Sequence, residues 1–79
     1  MPDFPVHEDL DIQAGETVFK SQKWWKAVVL YDGYRGPEIA VYLWQQREGE
    51  WRRQQKYVIR SLDDWEQDKE IIEKFVTEL

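Results

Sequence analysis

The chain contains no cysteine and a single histidine, His7. Disulfides and zinc sites of the usual Cys/His type, the common staples of very small domains, are therefore excluded. Glycine is scarce too; its four residues are isolated, so there is no glycine-rich loop to cradle a phosphate. No apolar run approaches the roughly 20 residues of a membrane span. The first residues, "MPDFPVHEDLD", lack the basic and apolar blocks of a secretory signal. These absences lead to the expectation of a soluble intracellular protein, with no cofactor, metal, membrane or small-molecule partner.

Catalytic chemistry is equally sparse. The two serines, Ser21 and Ser61, have no histidine placed to activate them, and His7 lies in an acidic, proline-bearing stretch. Carboxylate pairs such as Asp63–Asp64 and Glu48–Glu50 suit a helix start and a solvated turn better than acid/base work. The expectation is a protein that is not an enzyme.

What the chain does have is aromatic residues and a divided charge. Five tryptophans fall within 79 residues, enough for one small domain that buries only roughly 60% of its unfolded surface. The formal net charge of -5 hides three blocks. Residues 1–19 hold five carboxylates and no Lys or Arg. Residues 20–60 hold nine basic residues against four acidic ones. Residues 61–79 return to seven acidic against two basic. Such an asymmetry makes whole-chain charge a poor guide to partners.

Residues 1–15 read as an acidic, extended or mobile N-terminal arm, and residues 16–79 as the folded domain. The arm is either a solubilising tail or a cover for the basic surface that a stronger anion displaces. The middle block alternates as strands do. "TVFKSQKWWKAVVLYDGY" is long enough to bend or to form two strands, and it ends in a Gly36–Pro37 turn signal. In "EIAVYLWQQ", Ile39, Val41 and Leu43 alternate with Ala40, Tyr42 and Trp44. The aliphatic set is expected to face the core, which leaves Tyr42 and Trp44 on the open face. "REGE" makes a hairpin turn around Gly49. In "WRRQQKYVIR", simple alternation puts Arg52, Lys56 and Arg60 on one side, open to solvent and shared with Trp44.

"SLDD" has the form of a capping box, with Ser61 as N-cap. Leu62, Trp65, Ile72, Phe75, Val76 and Leu79 then form an apolar stripe at helical spacing. The fold class is thus α+β: a curved antiparallel meander of three to four strands followed by one C-terminal helix. The apolar end at Leu79 suits a helix docked on its own sheet or on a second subunit.

Aromatic residues interleaved with Lys and Arg on open strands suit single-stranded nucleic acid, whose bases stack on rings while the cations follow the phosphates. Duplex readers commonly insert a helix into a groove, but this helix is acidic, so the sheet must carry any binding. The alternative is a protein–protein module using the same aromatic face.

The element order, and above all the run from Trp44 to Trp65, resembles the transcriptional positive cofactor four family of single-stranded DNA-binding coactivators. The resemblance covers about residues 17–79. It rests on Leu43–Trp44, "EGE" at 48–50, Lys56 before "YVIRSL", and Trp65 in "LDDW". Upstream, "VVLYDGYRGPEIAVYLW" is similar to the family's paired strands joined through a glycine turn. The stretch "RRQQKY" departs from the family in having neither Pro nor Gly, and Arg60 stands where an aliphatic residue is usual. The resemblance implies a homodimer paired through its C-terminal helices, here Trp65, Ile72, Phe75, Val76 and Leu79. It also implies sheet grooves for two antiparallel single strands, contacted by Trp44, Lys56, Arg47 and Arg52, then Lys26 and Arg35. Tyr42 and Arg60 join this set from the strand pattern.

Overall fold

The computed structural model describes residues 4–7 and 9–79. Four strands form one antiparallel sheet in the order β1-β2-β3-β4, each paired with its neighbours in sequence. They are β1 (Asp11–Lys20), β2 (Trp24–Gly33), β3 (Gly36–Arg47) and β4 (Glu50–Ile59). A helix, α1 (Leu62–Phe75), follows, and a single 3-10 turn over Val76–Glu78 ends the chain. The expected α+β meander with one C-terminal helix is what forms, with four strands. No helix among the described residues is long and apolar enough to cross a membrane.

The turns follow local chemistry. Ser21 Oγ accepts from Trp24 N at 3.0 Å, closing the β1–β2 turn where the polar "SQK" interrupts the strand pattern. Between β3 and β4, Glu48 and Gly49 both have positive φ, 54° and 80°. That is the two-residue hairpin geometry whose twist matches the flanking strands. Gly36, at φ 126°, opens β3 after the Tyr34–Arg35 turn.

One face of the sheet is the core. Trp25, Ala27, Val29 and Tyr31 of β2 pack beside Ala40, Tyr42 and Trp44 of β3. Phe4, Val6, Leu10 and Ile12 lie over them from the N-terminal side, and Trp51 and Val58 complete the layer from β4. This corrects the expected facing of β3. Trp44 is 0% exposed and Tyr42 4%, while Ile39, Val41 and Leu43 turn to the opposite, partly open face. Both faces of β3 are apolar, so alternation alone cannot say which will be covered. The small Ala27 and Ala40 let the N-terminal residues approach closely, and the large rings gain most from that cover.

The arm boundary also moves. Strand β1 begins at Asp11, and Asp11–Gly15 pair with β2, so the last third of the expected arm is part of the sheet. Phe4, Val6 and Leu10 are only partly exposed. Asp3 and Glu8 lie outside the described residues.

The helix starts as the capping box dictates: Ser61 Oγ accepts from Asp64 N at 3.1 Å, satisfying an otherwise unpaired donor. Asp63 and Asp64 sit in its first turn and Lys74 in its last, matching the helix dipole. Yet α1 buries no residue. It leaves the sheet after its first turns, tied there by the Tyr57 hydroxyl, which donates to Asp68. The radius of gyration is accordingly 14.0 Å, above the roughly 12 Å of a compact chain of this length.

Candidate nucleic-acid interface

Cross-strand partners share a face, so the register sorts the charged residues. Tyr42 is opposite Lys56, and Trp44 is opposite Arg53. A register shift between Leu43 and Trp44 leaves Gln54 unpaired. This bulge resets the alternation of β4. Trp51, Arg53, Lys56 and Val58 join the aromatic face, whereas Arg52, opposite Gln45, falls on the other. Simple alternation had grouped Arg52 with Lys56; the bulge separates them.

The aromatic face is a continuous set of rings. Tyr42 and Trp44 are stacked at 5.0 Å and 9°. Trp25 is tilted against Trp44 at 5.1 Å, and Trp51 meets Trp25 edge-on at 5.6 Å. Cations stand over the rings: Lys20 Nζ is 3.9 Å from the Trp25 centroid, and Lys56 Nζ is 5.4 Å from that of Tyr42. Such contacts hold a cation against the negative ring face. They bring positive charge to the margin of a ring layer in which Trp25, Tyr42 and Trp44 are themselves buried. The Trp25 indole donates to Thr17 Oγ1 at 3.0 Å. Trp44 Nε1, by contrast, is buried with no hydrogen-bond partner among the described residues.

At one end of this face, Tyr31 donates its hydroxyl to Glu38 Oε1 at 2.7 Å. Burial, reinforced by that carboxylate, pushes the Tyr31 phenol up to about 12. Glu38 in turn meets Arg60 at 3.8 Å, which engages the guanidinium that the sequence had assigned to ligand.

The remaining expected site residues scatter. Arg47 ends β3, where its Nε donates to Gln45 Oε1 at 3.1 Å. Arg52 lies within 4.0 Å of Glu48 and 3.8 Å of Glu50. Lys26 faces away from the aromatic set, opposite Leu43. Arg35 is exposed in the β2–β3 turn. Lys20, Arg53, Trp25 and Trp51 share the aromatic face without having been among the expected site residues. Trp25 shows in the period-2 pattern, and Lys20 is the last residue before the β1–β2 turn; Arg53 is hidden by the bulge.

No protein-family model, curated protein or solved structure matches the chain.

The opposite face is apolar and unroofed. Val28, Leu30, Ile39 and Val41, with Leu62 and Trp65 from α1, line an open groove of ≈ 500 Å³. Along α1 and beyond, Ile72, Phe75, Val76 and Leu79 are exposed, Phe75 by 65%. No group of three or more His, Cys, Asp or Glu able to hold a metal occurs among the described residues.

Proposed function

We propose that this chain is a binding protein for single-stranded nucleic acid, DNA in the first instance, that tolerates any base sequence and serves transcription or genome maintenance. One observation carries this reading: four large rings, Trp25, Tyr42, Trp44 and Trp51, tile one sheet face with Lys20 and Lys56 held against them. Once the N-terminal residues that cover Trp25, Tyr42 and Trp44 move aside, the rings stack on any base, and the lysines and Arg53 supply charge for the phosphates. The resemblance of Trp44–Trp65 to the single-stranded DNA-binding coactivators supports the same reading. Tryptophan fluorescence titrated with oligo-dT at two salt concentrations tests it. Binding should quench the emission and weaken with log salt at about −0.7 per phosphate. Lys56→Ala should lower that slope by about 0.7. Absence of binding at low salt, or binding indifferent to salt, would overturn the reading.

Protein contact has its own support, on the opposite face. An apolar groove runs into an apolar helix stripe, and an isolated helix of 14 residues is marginal in water. The occupant proposed is a second copy of the chain. The helical block, with seven acidic residues, complements the basic middle block, whose Lys26 and Arg52 fall on this open face. The aromatic sheet faces of such a homodimer lie away from its interface.

A further inference from the structure

The aromatic face is occupied in this structure by the chain's own N-terminal segment. The Phe4 ring lies 6.2 Å from Trp44 at 24°, a stacked arrangement, and 5.6 Å from Trp25. A base would adopt the same relation to these rings. The seat is shaped for Phe4 on the β1 side as well: a Cβ on Gly15 would come within 2.6 Å of the Phe4 ring. Strand interiors rarely favour glycine, and a close approach of this kind is one reason to keep it. Residues 1–11 add four carboxylates and no Lys or Arg, so the segment is anionic in composition. The fit is incomplete in one respect: Trp44 Nε1 is covered yet has no acceptor. Nucleic acid carries acceptors on bases, sugars and phosphates; the described residues of the segment offer this donor none.

From these observations we infer that the N-terminal segment is an internal competitor for single-stranded nucleic acid, with Phe4 in the place of a base, and that ligand binding displaces it. The inference rests on the nucleic-acid reading of the face. A segment seated nine-tenths of the time would weaken apparent affinity by about tenfold. Its acidic charge makes the block strongest at low ionic strength, where the ligand is otherwise held best.

Two substitutions in the full chain release the segment from opposite sides. Phe4→Ala removes the ring; Gly15→Ala leaves the segment intact and takes away its seat. Fluorescence anisotropy of labelled oligo-dT should show both variants binding about tenfold more tightly than the parent, with far-UV circular dichroism confirming that they fold. Should either variant fail to fold, the parent chain supplies the test directly. Nuclear Overhauser contacts from Phe4 to Trp25 and Trp44 should be present in the free protein and lost on saturation with oligo-dT. If the parent binds but the variants bind no more tightly, or the Phe4 contacts persist in the complex, Phe4 is a permanent core residue. The competitor is then overturned, and nucleic-acid binding stands without stacking on Trp25 and Trp44. If neither parent nor variants bind, both fall together.

Discussion

At the scale of single residues, Trp44 carries the heaviest structural duty on the sheet. It stacks on Tyr42, meets Trp25 and is fully buried. Truncation to alanine removes a large ring from a close-packed layer, at a cost of roughly 3–5 kcal/mol. Against the marginal stability of so small a domain, Trp44→Ala should be largely unfolded in urea titrations followed by circular dichroism. Trp44→Phe keeps a ring and deletes the unpartnered N–H, so it should lose less than half as much. Equal losses in the two variants would show that the indole nitrogen is satisfied after all. Tyr31 gives a second expectation. Burial, with the Glu38 carboxylate beside it, pushes its phenol from the ordinary 10.0 up to about 12 in the fold. Its contribution to stability is therefore complete below pH 10 and disappears as pH rises toward 12. Tyr31→Phe should be less stable than the parent at pH 8, where it lacks the Glu38 hydrogen bond. The gap should narrow between pH 10 and 12 as the parent loses what the variant never had. Melting curves across that range check this.

At the scale of elements, what could be read in the sequence was what neighbours in the chain decide. Ser61 and Asp64 determine where α1 begins, and Glu48–Gly49 form the turn that the "REGE" stretch indicates. The hairpin turn yields an expectation of its own. Gly49 has φ 80° and open space around it, so Gly49→Val should meet no clash yet be strained in its backbone. A loss of about 1–2 kcal/mol in chemical denaturation follows from the left-handed conformation. A loss below 0.3 kcal/mol would mean that the turn relaxes to another type. Facing was legible only in part. Trp44, Tyr42 and Lys56 do share a side, as alternation requires, but nothing in "EIAVYLWQQ" says that Phe4, some forty residues away, covers it. The bulge at Gln54 is likewise silent in "RRQQKY", where polar residues run on without a break in pattern. The candidate face was thus half visible: Trp44, Tyr42, Lys56 and Trp25 follow from the strand pattern, while Trp51, Lys20 and Arg53 needed the register.

At the scale of the whole molecule, the sheet has two different faces, one roofed by the chain's own beginning and one left open beside a helix that buries nothing. The open face sets the expectation of a dimer. Light scattering at tens of micromolar should give twice the chain mass of 9.7 kDa, since domains of this size commonly complete their cores through a partner. Phe75→Asp should return the mass to that of the monomer while leaving the sheet intact by circular dichroism. A parent chain that is monomeric at that concentration would exclude the second copy as occupant. The nearest-neighbour strand order has a consequence in time. Each pairing closes only a short loop, so the sheet can zip up hairpin by hairpin, without the slow search that distant strands impose. Refolding should therefore split into a rapid phase independent of protein concentration and a later one that quickens as concentration rises. During the interval between them, each newly folded chain exposes its open face to every other chain in solution.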